Sequence, residues 1–145
     1  MVKILKKQYL TLLLPPVLGF SLVGVARAFG MLTSEMPEPP DFLAALFFVL
    51  AAVTSIAAPV LTRTLFAHRM RNKKKVDPDR FLVFEKRLLT MALLTPWFAL
   101  AAYGLDFQRF YSTGIVLMSF YAVYYYYPSE KRIAFDQRIF RVTDR

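Results

Sequence analysis

Between Leu61 and Arg87 the chain reads LTRTLFAHRMRNKKKVDPDRFLVFEKR, a stretch that carries Arg63, Arg69, Arg71, Lys73, Lys74, Lys75, Arg80, Lys86 and Arg87. It is the one long interruption in an otherwise apolar sequence. On each side lies a pair of apolar runs, and a helix needs about 20 such residues to cross a bilayer. The pattern predicts an all-α polytopic membrane protein, with four transmembrane helices arranged as two hairpins joined by a basic loop.

Composition agrees with this reading. Hydrophobic residues make up 57% of the 145 positions, and they are gathered into blocks instead of recurring at the period of a half-buried strand or surface helix. With most of its length committed to spans, the chain has no room for a separate soluble core, so one domain over residues 1–145 is expected. Cysteine is absent, which excludes disulfides, iron–sulfur ligation and thiol catalysis. The net charge of +9 would suit nucleic acid if it lay on a folded soluble face. Here the cations flank apolar runs, so topology accounts for them better.

The first span is expected over residues 9–29, after Lys3, Lys6 and Lys7, with Pro15 and Pro16 near its start or kinking it. Ala26-Arg27-Ala28 resembles a signal-peptide cleavage pattern, but the apolar run is longer than the usual signal core and is read as a retained span. Thr33 to Asp41, with three prolines in TSEMPEPPD, reads as a stiff outer turn. The second span covers residues 42–66, with a kink expected at Pro59. The basic loop covers 67–87. Asp77-Pro78 is a helix start signal, so a third helix from Pro78 to Leu105 is predicted, its apolar part at 88–105. The fourth span covers 110–127 and ends in tyrosines suited to the interface, followed by Pro128. The tail, 128–145, reads as a basic amphipathic helix with Phe135, Ile139 and Val142 on its apolar face.

Every one of the 19 lysines and arginines except Arg27 and Arg109 falls in the N-terminal segment, the central basic stretch from Arg63 to Arg87 or the tail. The positive-inside rule therefore predicts both termini and the loop in the cytoplasm, in a bacterial-type inner membrane. Ala51, Ser55 and Ala58 line one face of the second helix, and Ala92, Ala99 and Ala102 one face of the third; small stripes of this kind let helices approach closely in lipid. The candidate surface for anionic phospholipid or partners is Arg69, Arg71, Lys73, Lys74, Lys75, Arg80, Lys131, Arg132 and Arg138, since cations beside a span attract anionic headgroups. An outer ion pair between Arg27 and Asp106 would tie the two hairpins together.

Catalysis has little to work with. His68 is the only histidine, too few imidazoles for paired haem ligation and, without cysteine, for zinc. No nucleophile stands beside a base, no phosphate-binding glycine loop is present, and no cofactor is implied. Glu85 is placed at the inner boundary, and no charge is expected at mid-span. The function expected is that of a non-catalytic accessory, assembly or structural subunit of a larger inner-membrane complex. Its partners would be other integral membrane subunits, met through the small-residue faces, and anionic lipid or protein at the basic loop and tail. Homo-oligomers are allowed. A small homo-oligomeric transporter or channel is the alternative, although a transporter would need an embedded carboxylate. A further alternative is an interfacial lipid- or quinone-handling enzyme using His68, Arg69, Arg71, Glu85 and tyrosines of the fourth helix.

Overall fold

The computed structural model describes residues 1–31, 39–72 and 75–142. Most of the turn expected at Thr33–Asp41, and Lys73, Lys74 and the last residues of the tail, lie outside the described residues. The described chain is all-helical, with no strand among the described residues. Its elements are α1 (Val2–Ala28), α2 (Asp41–Ala52), a π-helical turn (Val53–Ala57), α3 (Ala58–Met70), α4 (Pro78–Ala92), α5 (Thr95–Gly104), α6 (Arg109–Tyr125) and α7 (Glu130–Ile139).

Two helices are long and apolar enough to cross a membrane: α1, with a mean hydropathy of 1.8, and the continuous rod from Asp41 to Met70, at 2.3. Helix α1 begins at Val2, earlier than the expected span, and carries Pro15 and Pro16 inside it. It stops where Gly30 turns to a φ of 67°. The N–H of Met31 then bonds the carbonyl of Ala26 and that of Gly30 the carbonyl of Arg27, the paired bonds by which a left-handed residue closes a helix.

The rod keeps its length by a local change of winding. Pro59 has no N–H to give Ser55 and its ring crowds that carbonyl, and the π-turn Val53–Ala57 falls just before it. The hydroxyl of Thr54 bonds back to Leu50 O at 2.9 Å and meets Thr95 Oγ1 at 3.0 Å. Such turns are where a helix absorbs an insertion or a missing donor.

Proline acts differently in the second half. The single helix expected from Pro78 to Leu105 is divided at Leu93-Leu94 into α4 and α5, so the expected span over 88–105 is a bend between two shorter helices. Pro96 lies four residues beyond Ala92, the last residue of α4; its ring would collide with that carbonyl in an unbroken helix. The start at Pro78 is as the sequence indicates, with Asp77 accepting from the Asp79 N–H at 3.0 Å.

Helix α5 is central, packing on α1, α2 and α6, while α3 packs on α4. One core joins Ala44, Ala51, Ala99, Ala102, Phe107 and Ile115. The second gathers Leu5, Tyr9, Phe81, Phe84, Leu88, Ile133 and Phe140 at the basic end. Ala51, Ser55, Ala92, Ala99 and Ala102 are all buried and Ala58 is half-buried. The small-residue stripes thus pack this chain's own helices together and are closed to a second protein.

Helix α7 is turned otherwise than expected. Phe135 and Ile139 are exposed, whereas Ile133, Asp136 and Phe140 face the bundle. Phe140 packs edge-on against Phe66 and Phe84, which stack at 4.1 Å between ring centres. Past the helix Arg141 takes a φ of 52°, throwing Val142 beside Val76 in an isolated parallel bridge. The Val76 N–H bonds Arg141 O at 3.1 Å. The loop and the tail are thereby strapped together.

At Gly114 an added Cβ would run into the ring edge of Phe48, whereas at Gly104 it would meet open space. Gly114→Val is expected to cost about 1–3 kcal/mol by forcing α6 off α2, while Gly104→Ala leaves stability nearly unchanged. Thermal melting of both variants in detergent checks this, and equal midpoints would refute it.

Candidate functional site

At the basic end four ionisable side chains from three elements meet: Arg63 of α3, Glu85 of α4, and Arg132 and Asp136 of α7. Sequence sets each in place. On α4 the buried positions Phe81, Phe84, Leu88 and Ala92 repeat at three or four residues, and Glu85 falls within the stripe they form. On α7 Asp136 falls likewise between Ile133 and Phe140. Ser129 caps that helix by accepting from the Arg132 N–H at 3.2 Å, which fixes the register that brings Arg132 and Asp136 inward together.

Asp136 is the hub. Arg63 Nη2 donates to its Oδ1, and Arg132 Nε lies 3.7 Å from its Oδ2. Arg132 Nη2 donates to Glu85 Oε2 at 3.0 Å and Nη1 to the Tyr126 carbonyl at 2.6 Å. Its guanidinium also sits 5.5 Å over the Tyr126 ring. Glu85 is 1% exposed, and its Oε1 has no hydrogen-bond partner among the described residues.

Burial, the largest cause, pushes the Glu85 carboxyl up to about 7. Arg132 and Arg63 pull it back down, and Asp136 raises it further. Two arginines and one carboxylate carry a net positive charge while Glu85 holds its proton, and the cluster becomes neutral when Glu85 loses it. Beside the cluster an open cavity of about 760 Å³ is walled by Arg63, Arg132 and Asp136, by Tyr124, Tyr125 and Tyr127, and by Ser129 and Phe135.

A second concavity, about 540 Å³, runs between α3 and α4. Thr62, Leu65, Phe66, Met70, Val83, Phe84 and Met91 line it together with Arg69, Arg80, Arg87 and Asp79. Of the expected binding residues, Arg69 and Arg80 come together here. Arg71, Lys75, Lys131 and Arg138 are exposed elsewhere. Arg132 is instead turned into the bundle, because two buried carboxylates claim its guanidinium. His68 is exposed in the last turn of α3 and does not line either concavity.

Arg63, Asp136 and Arg87 did not figure among the expected binding residues, and Glu85 did so only in the alternative of an interfacial enzyme. The available signal was a carboxylate lying within an apolar helical stripe, twice over, since a buried charge must find a partner.

At the opposite end Arg27 Nη2 lies 3.3 Å from Asp106 Oδ1 and donates to the Tyr103 carbonyl at 2.7 Å. The guanidinium stands 4.6 Å over the Tyr103 ring. Asp106 is in the left-handed region, with a φ of 57°.

Comparison with protein-family models, with curated protein sequences and with solved structures gives no significant match.

Three outcomes follow from these geometries. Asp136→Ala leaves two guanidiniums without their common carboxylate and is expected to cost about 3 kcal/mol, freeing α7 so that limited proteolysis cuts the tail sooner than in the wild type. Folding lifts Glu85 from 4.5 to about 7, so between those values the folded chain holds more protons than the unfolded one. The contribution of Glu85 to stability is therefore full below pH 4.5 and declines as pH rises to 7. In Glu85→Gln, melting midpoints from pH 5 to 7.5 should fall less steeply than in the wild type; equal slopes would count against the assignment. Asp106→Asn keeps a residue that tolerates the left-handed conformation and removes only an exposed charge. It should cost less than about 1 kcal/mol, and a larger loss on chemical unfolding in detergent would mean that the pair carries more than a surface bridge does.

Proposed function

We propose that the protein is a multi-pass, non-catalytic accessory or assembly subunit of a larger inner-membrane complex, presenting a basic face to the cytoplasm. In this reading α1, the Asp41–Met70 rod, residues 88–105 of the bent α4–α5 pair and α6 cross the bilayer as two hairpins, with Glu85 at the inner boundary, and the charge distribution sets both termini inside. Exposed apolar side chains along α1, such as Leu10, Leu14, Leu18 and Leu22, meet lipid or a partner helix. The small-residue stripes have no part in partner contact, since they are used internally.

The observation that carries the proposal is the fastening of loop to tail. The Arg63–Asp136 and Arg132–Glu85 pairs, with the Val76–Val142 bridge, make the basic loop and α7 one surface. On it Arg71, Lys75, Lys131 and Arg138 remain exposed. Preorganised charge of this kind suits electrostatic recognition of a partner, where it sets specificity and encounter rate.

A homo-oligomeric transporter is the second reading, favoured by the buried, protonatable Glu85. Flux through liposomes holding the isolated protein would decide for it.

Reporter fusions after Lys75 and after Arg141 are expected on the same side of the membrane. Purification in mild detergent is expected to bring down an integral membrane protein in fixed ratio, and Lys131→Glu with Arg138→Glu to lower that recovery at least tenfold while the melting temperature holds. A stable, active protein with no partner, or reporters on opposite sides, would overturn the proposal.

A further inference from the structure

The geometry points to the concavity between α3 and α4 as a binding site for one anionic phospholipid, its phosphate held by Arg69, Arg80 and Arg87 and an acyl chain laid along the apolar floor. This rests on the membrane reading above and names a ligand for part of the same basic face.

Two helical stripes make the site. On α4, Arg80, Val83, Arg87 and Met91 recur at three or four residues, as do Thr62, Leu65 and Arg69 on α3, so each helix turns one face toward the other. Arg69 and Arg80 stand at the loop end of the two stripes, and Arg87 lies two helix turns deeper on α4, between Val83 and Met91. The groove therefore has two guanidiniums at its loop end and a third along its wall beside Leu65, Val83 and Met91, so a phosphate reached by these long side chains leaves the apolar floor for a chain. The volume of about 540 Å³ falls within the usual range of ligand sites, about 300–1,000 Å³.

Charge separates a lipid from other occupants. Three guanidiniums share the groove with one carboxylate, Asp79, and none of the three is in a salt bridge with a described residue. Guanidinium forks match phosphate oxygens two at a time. A free phosphate would satisfy the arginines and leave Leu65, Val83 and Met91 uncovered, and a neutral lipid would do the reverse. Leu65 and Val83 are about half exposed, so the floor opens sideways, where a chain can enter from the bilayer.

Native mass spectrometry of the detergent-purified full chain, titrated with phosphatidylglycerol or with phosphatidylcholine of the same chain length, tests this. One phosphatidylglycerol is expected to be retained in preference. Arg69→Gln, Arg80→Gln and Arg87→Gln should each weaken it about fivefold, and the triple variant about a hundredfold. Lys131→Gln with Arg138→Gln, which removes charge elsewhere on the same face, should leave it bound. Val83→Trp fills the floor, keeps all three arginines and should also expel the lipid.

Unchanged preference in the arginine variants would overturn the site. So would competition by glycerol phosphate as strong as by the lipid, or full binding by Val83→Trp, since either means that charge alone suffices. Circular dichroism and melting of each variant, with the single arginine variants standing in for a triple variant that fails to fold, separate loss of the site from loss of structure. Co-purification of the partner from the same cells scores the accessory reading independently: lipid lost with partner retained speaks for the groove as a distinct site, and wild-type protein found outside the membrane fraction sinks the membrane reading beneath both.

Discussion

The contact on which the basic end depends is the pair of guanidiniums gathered by Asp136. Helix α7 is short and largely polar on its outer side, and a helix of its length is marginal in isolation. What holds it is Ile133 and Phe140 in the core and Asp136 between them, reaching one arginine from α3 and one from its own next turn back. Two buried carboxylates and two partly buried arginines are costly to desolvate, and such clusters give little net stability over an apolar replacement. Their effect here is positional. Only one docking of α7 pairs all four groups, so the cluster selects that docking over others that would bury a similar apolar area.

Two prolines in comparable settings have unlike outcomes, and the difference lies in what surrounds them. Pro59 follows a stretch in which Thr54 and Ser55 bond back to the carbonyls of the preceding turn, so the rod is rewound through a π-turn and continues. Pro96 stands after Leu93 and Leu94, which have no such side chains, and the helix is broken there. Thr54 and Thr95 meet at the level of both irregularities, which joins the widened turn of one rod to the bend of the other.

Much of the fold was legible in the sequence because it depends on local chemistry. Long apolar runs, the Asp77-Pro78 start and the end of α6 before Pro128 can each be read from a few adjacent residues. The bend at Leu93-Leu94 was missed because the apolar character runs straight through it, and Pro96 was not weighed as a break. The orientation of α7 was missed for a different reason: Phe135, Ile139 and Val142 make an acceptable apolar stripe, and only Arg63 from α3, with Arg132 of α7 itself, makes Asp136 a better inward residue than Phe135. Arg132 shows the same limit. On the page it is one more cation in a basic tail; in the bundle its neighbours are Glu85, Asp136 and the Tyr126 carbonyl, forty or more positions away in the first case and one helix turn in the second. Of the groove's arginines, Arg69 and Arg80 stood among the nine expected binding cations, whereas Arg87, two helix turns beyond Arg80, was counted only with the basic loop.

The strap between Val76 and Val142 has a bearing on the order in which the molecule can be completed. Residues near position 76 leave the ribosome long before those near 142, so the central loop must wait, lacking its neighbour, while α4 to α7 are made. Arg63 waits in the same way for Asp136. Final closure of this end is therefore reserved for the last stage of synthesis, and a chain halted after α6 would lack the partners of Val76, Arg63 and Glu85.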